Sequence, residues 1–234
     1  MTAPGPRTVL VTGASGGLGA AIVRAALASG WQCAAAGRDK ARLDELRETV
    51  PAAHTERLLT VTADPADWND VRAAVLAARD RFGRLDAIVP NAGFSSGGDM
   101  LTTDPAADRQ MVLVNVLGPA LLVKAAAESL IDSGGLVVLI GSIAGVKNLP
   151  GSLYGATKFA ITGLAENLRM SLAPHGVGVT LVMPGYVDTP FHEGRALPVS
   201  MTPAAVADVV LWALGQPDGM DVNTITVRAR AQAV

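Results

Sequence analysis

Short apolar runs alternate with helix-length segments from one end of the chain to the other. The runs are Thr8 to Thr12, Gln32 to Gly37, Leu58 to Ala63, Ala87 to Pro90, Leu136 to Ser142, Val177 to Met183 and Val222 to Val227. Each is read as a strand, and the intervening segments carry helix start and stop signals. Asp64-Pro65, Asp104-Pro105 and Thr202-Pro203 each place a capping side chain before a proline suited to the first helical position, and Gly30 and Gly83 sit where helices should end. Strand and helix in alternation imply right-handed crossovers and a doubly wound α/β sheet, Rossmann-like and mostly parallel, of about seven strands. No linker, repeat or low-complexity segment divides the chain, so residues 1–234 read as a single domain.

The composition agrees with strands covered on both faces. Half of the 234 residues are apolar and only 4% aromatic, so the core must be aliphatic and rich in alanine. A mean hydropathy of +0.34 raises a membrane reading. The longest apolar stretches, Met111 to Val123 and Gly135 to Val146, are interrupted by Asn115, Gly118, Pro119, Gly141 and Ser142, short of the roughly 20 residues a span needs. No cationic and then apolar leader opens the sequence, so no membrane or export is expected. A single cysteine, Cys33, and three histidines offer no metal-site spacing and fit a reducing, cytoplasmic setting. A net charge of -2 predicts no nucleic-acid partner.

Ligands of such sheets bind beyond the carboxyl ends of the strands, so chemistry is sought there. After the first run comes Thr12-Gly13-Ala14-Ser15-Gly16-Gly17-Leu18-Gly19, a glycine turn that lets backbone approach a pyrophosphate at a helix N-terminus. The absence of Gly-Lys-Ser/Thr argues against a nucleotide-hydrolysing loop. Tyr154 and Lys158 stand four residues apart, hence on one face of a helix. An ammonium beside a phenol favours the phenolate and would lower its pKa toward the working range. An ordinary surface pair is the plain alternative, but Lys158 is one of only four lysines, and Gly155, Ala156 and Thr157 keep that turn slim.

Taken in order, Thr12-Gly-x-x-x-Gly-x-Gly19, Asn91-Ala92-Gly93, Asn115, Ser142, Tyr154-x-x-x-Lys158 and Pro184-Gly185 with Thr189 resemble the short-chain dehydrogenase/reductase family, single-domain branch, across essentially the whole chain. One departure is the 12-residue interval from Ser142 to Tyr154, where close relatives usually have 13, which would reshape a substrate wall at Val146 to Ser152. The resemblance implies Tyr154 as general acid in carbonyl reduction and base in alcohol oxidation, with Ser142 hydrogen-bonding the same substrate oxygen. It implies that Lys158 lowers the tyrosine pKa and binds the nicotinamide ribose. Asn115, in an apolar stretch where a lone amide is costly, would distort its helix and hold a water that links Lys158 to solvent.

By the same resemblance the cofactor contacts come from Gly13, Ser15, Gly17, Leu18 and Gly19, then from Arg38, Asp64 and Asn91-Ala92-Gly93. Tyr154 and Lys158 follow, with Pro184, Gly185, Val187 and Thr189 at the nicotinamide. Gly37 stands where an acid that binds the ribose of NAD usually sits, and Arg38 after it suits a 2′-phosphate, so NADP(H) is expected over NAD(H). Arg38 is also read as opening a helix, where a cation is mildly disfavoured, which makes a purely structural role less attractive. Phe94, Leu149, Tyr186 and a brief substrate loop, residues 190–201, would surround the substrate. There Arg195 could meet a carboxylate and His192 a polar group, unless each is simply a solvated loop residue.

The expected activity is hydride transfer between nicotinamide and a carbonyl or secondary alcohol of the ketone or 3-oxo/3-hydroxy acid type. The stretch from Val222 to Arg228 resembles a branch that acts on 3-hydroxy acids and small carbonyls. A catalytically silent cofactor-binding sensor is the alternative, opposed by the intact Ser142, Tyr154, Lys158 and Asn115. A lyase or epimerase would want a longer substrate domain. Pairing through helices near Asp104 to Ile131 and Ser152 to Pro174 would give a homodimer or homotetramer.

Overall fold

The computed structural model of the chain describes residues 5–192, 197 and 199–232. Seven strands form one parallel sheet: β1 (Thr8–Thr12), β2 (Gln32–Gly37), β3 (Leu58–Thr62), β4 (Ala87–Val89), β5 (Leu136–Ile140), β6 (Gly178–Pro184) and β7 (Thr224–Val227). Their order is β3-β2-β1-β4-β5-β6-β7. The order reverses between β1 and β4, and the crevice at that switch point is where such sheets take their ligands. β1 and β2 coincide with the expected runs. β5 stops at Ile140 rather than Ser142, because after a last rung from Gly141 N–H to the Val182 carbonyl (2.8 Å) the chain turns into a short helical turn, Ile143–Gly145.

Successive residues of a strand feed opposite faces, and each face has its own helices. Val9 and Val11 pack with Cys33 and Ala35 beneath α1 (Gly17–Ala28), α2 (Lys40–Glu48) and α7 (Pro203–Leu214). Leu10 and Ile88 pack on the other face beneath α3 (Trp68–Phe82), α5 (Gly118–Ser133) and α6 (Leu153–Leu172). Full burial of each such aliphatic side chain contributes about 1.5–3 kcal/mol, so small strands covered twice suffice to hold the sheet.

Helix ends follow the expected chemistry at most positions. The Asp104 carboxylate accepts from Ala106 N–H and Ala107 N–H (3.2 and 3.4 Å) ahead of α4 (Pro105–Val112), and Thr202 Oγ1 accepts from Ala205 N–H (3.2 Å) ahead of α7. Gly83 ends α3 in the left-handed conformation, with φ 76°. Asp64 differs from expectation. It does not cap α3, since Asp67 does so by accepting from Asp70 N–H (3.0 Å), and Asp64 Oδ1 instead accepts from Ala66 N–H (2.9 Å) in the turn before. Arg38 likewise lies outside α2, whose cap is Asp39 with its carboxylate on Arg42 N–H (3.1 Å), so the dipole argument for Arg38 falls away.

A long helix was expected near Asp104 to Ile131, and the 29 residues from Pro105 to Ser133 are continuously helical. Asn115, Gly118 and Pro119 were expected to keep its apolar stretch too short for a span, yet by length and composition the run is apolar enough to cross a membrane. A wide π turn, Leu113–Leu117, absorbs Asn115, and Pro119 lies directly after it, where the regular helical pattern is already interrupted. The inner side of α5, with Leu122, Val123, Ala126 and Leu130, is buried on the sheet, and this accounts for its apolar character as a core helix.

Candidate active site

A cleft of about 1460 Å³ opens along the carboxyl ends of the strands. Its floor at one end is the glycine turn after β1. Gly13 has φ 65°, and a Cβ there would lie 2.8 Å from the Ala92 Cα. At Gly19 a Cβ would come 2.7 Å from Asn91 Nδ2 and run into the Gly13 carbonyl. Only glycine lets these two loops and the start of α1 close up. The first turn of α1 carries no acid, so its N–H groups meet the cleft without a competing negative charge. Gly13, Ser15, Gly17 and Leu18 line the cleft, and the cradle fits a pyrophosphate.

Asn91 stitches the end of β4 to that turn. Its Nδ2 donates to the carbonyls of Thr12 (2.9 Å) and Gly13 (3.3 Å), while Thr12 Oγ1 accepts from Asn91 N–H and Ala92 N–H. The geometry thus gives Asn91 a bracing role, with Ala92 and Gly93 beside it on the cleft wall. At the far rim of the turn Arg38 is exposed and lines the cleft with Lys40 and Arg42. Asp39 is the one acid among the described lining residues, and its carboxylate is drawn to Arg42. A Cβ at Gly37 would sit 3.2 Å from Ser15 Oγ, so an acidic side chain at that place would crowd the turn. Asp64 is not on the cleft, and its neighbour Pro65 lines it instead.

Three side chains meet midway along the cleft. Ser142 follows β5 and accepts from Ala144 N–H (3.1 Å); it also hydrogen-bonds the Tyr154 hydroxyl. Ser152 caps α6 by accepting from Gly155 N–H (3.0 Å), which sets Tyr154 in the first turn of the helix and Lys158 one turn on. Lys158 is buried at 6% exposure, with Nζ donating to the Ile140 carbonyl (3.0 Å) and lying 5.7 Å from the centre of the Tyr154 ring. The Tyr154 ring packs at a tilt on Phe191, with centres 5.4 Å apart.

The electrostatics run against the sequence expectation. Desolvation pushes the Tyr154 phenol up to about 12, and the Ser142 hydrogen bond only partly opposes it. Desolvation also pulls the Lys158 ammonium down to about 8. Lys158 meets a carbonyl rather than a carboxylate, so burial outweighs its attraction for a phenolate in the free chain.

Asn115 is buried in the π turn, as a distorted helix was expected to hold it. Its Oδ1 accepts from Phe94 N–H (3.0 Å), and its Nδ2 donates to the Phe94 carbonyl (2.8 Å) and to Thr157 Oγ1 (3.1 Å). It therefore ties the loop after β4 to the residue preceding Lys158. Pro184 at the end of β6 and Gly185, Val187 and Thr189 after it also line the wall, and the Thr189 side chain would lie 3.4 Å from a Cβ on Gly17.

Phe94, Leu149, Tyr186 and Phe191, expected around the substrate, also line the cleft. The sequence reading missed the loop 95–103, which supplies Met100 and Thr103 to the same wall. Ser96 Oγ and Thr103 Oγ1 both donate to the Asp108 carboxylate (2.6 and 2.7 Å), and Met100 N–H donates to the Gly151 carbonyl (2.8 Å). These bonds fasten the loop to α4 and to the segment before α6. The side chains of His192 and Arg195, weighed as substrate contacts, lie outside the described residues.

Comparison with known proteins agrees with this arrangement. Residues 7–197 match the family model described as short chain dehydrogenase. An uncharacterized oxidoreductase of Staphylococcus epidermidis is 32% identical over 228 residues, covering 95% of this chain and 96% of that protein. The 2-(R)-hydroxypropyl-CoM dehydrogenase of Xanthobacter autotrophicus is 33% identical over 236 residues, covering 93% and 94%. The structure of an alcohol dehydrogenase from the archaeon Thermococcus sibiricus, complexed with 5-hydroxy-NADP, superposes with a TM-score of 0.90 at 26% identity over 97% of each chain. The glycine turn, the Ser142–Tyr154–Lys158 grouping and these likenesses together make the chain a member of the short-chain dehydrogenase/reductase family of oxidoreductases.

Proposed function

We propose that this protein is an NADP(H)-dependent oxidoreductase acting on a carbonyl or secondary alcohol of the ketone or 3-oxo/3-hydroxy acid type. The observation that carries the reading is the hydrogen-bonded Ser142–Tyr154 pair with Lys158 behind it, facing a cleft that begins at a glycine cradle. The nicotinamide, when bound, supplies or accepts the hydride. Gly13, Ser15, Gly17 and Leu18 would hold the pyrophosphate; Gly19, expected among them, is not on the cleft and instead lets α1 close on Gly13, while Asn91 keeps the turn in shape. Arg38 would pair with a 2′-phosphate, a reading supported by its place on the rim and by glycine rather than an acid at residue 37. Lys158 would hold the nicotinamide ribose, with Pro184, Gly185, Val187 and Thr189 along the ring.

Tyr154, protonated with a pKa near 12, would give its proton to a substrate oxygen during reduction, and Ser142 would hydrogen-bond the same oxygen as charge develops. The tyrosinate left behind gains from the Lys158 ammonium one turn away. Asn115, between Phe94 and Thr157, holds this part of the wall in register with Lys158. A silent cofactor-binding sensor could keep Lys158 for the ribose but has no need of Ser142 and Tyr154 set together as a proton relay. Exposed Val112, Leu117, Phe159 and Met170 on the long helices support a homodimer or homotetramer, and the lone buried Cys33 suits a reducing cytoplasm.

Purified protein with NADPH or NADH and a panel of ketones and 3-oxo acids, followed by loss of nicotinamide absorbance, tests the proposal. Turnover is expected with NADPH preferred, and tight NADPH binding without turnover on a broad panel would leave the sensor reading. Tyr154→Phe should lower kcat by a factor of about 10²–10⁴ while NADPH affinity stays nearly unchanged. Retained activity would remove Tyr154 from its role.

A further inference from the structure

The chain after β7 does not trail away from the sheet. Gly185 N–H donates to the Val227 carbonyl (2.8 Å), the segment then curls so that Gln232 N–H donates to the Ala229 carbonyl (2.9 Å), and the Gln232 side chain ends at 8% exposure beneath the turn that follows β6. There Gln232 Oε1 accepts from Tyr186 N–H (3.0 Å). Gly185 makes room for it, since a Cβ at that position would lie 2.9 Å from the carboxamide carbon. The other side of Tyr186 is held as well, its carbonyl accepting from Met201 N–H (2.9 Å) while Asp188 N–H donates to the Met201 carbonyl (2.9 Å). Tyr186 is thus clamped between the tail and the residue where the loop that begins near Thr189 rejoins the fold.

We propose that Gln232 is a positioning residue for the cleft, and that the segment after β7 acts as a brace which sets the Gly185–Tyr186–Val187 backbone and the base of the substrate loop. The inference rests on the reading of this cleft as a nicotinamide and carbonyl site. A buried carboxamide is costly unless it is used, and its acceptor is aimed at a backbone N–H on the wall that would carry the ring and the substrate. Without it the Tyr186 N–H loses this acceptor, and the backbone that carries Tyr186, Val187 and Thr189 is held less firmly. None of these effects touches Tyr154, so the chemistry itself should be spared once both ligands are seated.

The test compares wild type with Gln232→Leu and Gln232→Glu in the full chain, using steady-state kinetics, NADPH titration by fluorescence and thermal denaturation. Gln232→Leu keeps the volume and removes the acceptor. It is expected to raise both KM values and the NADPH Kd by about three- to tenfold, the range one buried hydrogen bond supplies, with the pH profile of kcat unchanged. Gln232→Glu keeps an acceptor oxygen and should recover most of that loss. A merely structural role would lower Tm and the amount of active protein while leaving both KM values and the Kd in place, and that outcome overturns the proposal. If Gln232→Leu does not fold, Gln232→Asn, which withdraws the amide by one methylene, decides on the same KM and Kd criteria. Wild-type binding and turnover serve as the control for the underlying reading, so its failure is visible separately from a failure of the Gln232 comparison.

Discussion

Replacing Lys158 by methionine should make the ligand-free protein more stable while abolishing its proposed activity. The ammonium is buried at 6% exposure against a single carbonyl, and burial lowers its pKa from 10.5 to about 8. One pKa unit is about 1.4 kcal/mol, so holding the charged form in the fold at pH 7 costs about 3 kcal/mol. Methionine matches the length and flexibility of the side chain and leaves the Ile140 carbonyl without its donor, a loss of about 1 kcal/mol. The net gain is about 2 kcal/mol, equivalent to a rise of about 4–8 °C in Tm for a chain of this size.

The pH dependence separates this cause from better packing. The unfolded lysine keeps its proton up to about 10.5 and the folded one only to about 8, so between those values the unfolded chain binds more protons and wild-type stability rises with pH. By pH 9.5 the cost of the buried charge should have fallen to about half, and the advantage of the variant should nearly vanish. Equilibrium urea unfolding of both proteins at pH 7 and 9.5, without nucleotide, measures it. A variant less stable than wild type at pH 7, or an advantage equal at the two pH values, would refute the reasoning.

Two further substitutions test neighbouring parts of the site. Arg38→Asp should lower the ratio of kcat/KM for NADPH over NADH by at least about tenfold, as expected for a charge-assisted contact worth about 1.5–3 kcal/mol. An unchanged ratio would remove Arg38 from phosphate recognition. Ser142→Ala should lower kcat by about 10²-fold, and because the Ser142 hydrogen bond pulls the Tyr154 pKa down, its loss should shift alkaline titration of that phenol upward in the ultraviolet spectrum. Tyr186 is the only other tyrosine, and its titration in Tyr154→Phe supplies the reference. A phenol titrating at the same pH in Ser142→Ala would show that the pair is not coupled as described.

What could be read from residues alone divides along a physical line. β1 and β2 are visible because apolar runs bounded by polar or glycine residues leave little choice of register. The glycine turn, Ser142, Tyr154 and Lys158 are visible because each place admits few residue types. The start of α3 was not, since Asp64 and Asp67 are equally good caps locally and only the packed structure chooses between them. The partners of Asn115 were hidden for a related reason. Its place in a distorted helix was expected, but Phe94 and Thr157, which satisfy its amide, lie 21 and 42 residues away. The clamps on the substrate wall, Asp108 with Ser96 and Gln232 with Tyr186, leave no periodic trace, the latter pair being 46 residues apart.

The largest revision concerns the sign of one pKa shift, and it bears on mechanism. Sequence spacing places an ammonium near a phenol and so favours the phenolate. The fold adds desolvation of both groups, which favours neutral phenol and neutral amine, and in the free chain desolvation prevails. A phenol near 12 is protonated throughout the neutral range, which is the form that carbonyl reduction consumes and the form that alcohol oxidation must first deprotonate. In the proposed reaction the reductive direction would therefore start from the resting state of Tyr154. In the oxidative direction part of the ligand-binding energy would have to go into stabilising a tyrosinate that the empty cleft disfavours.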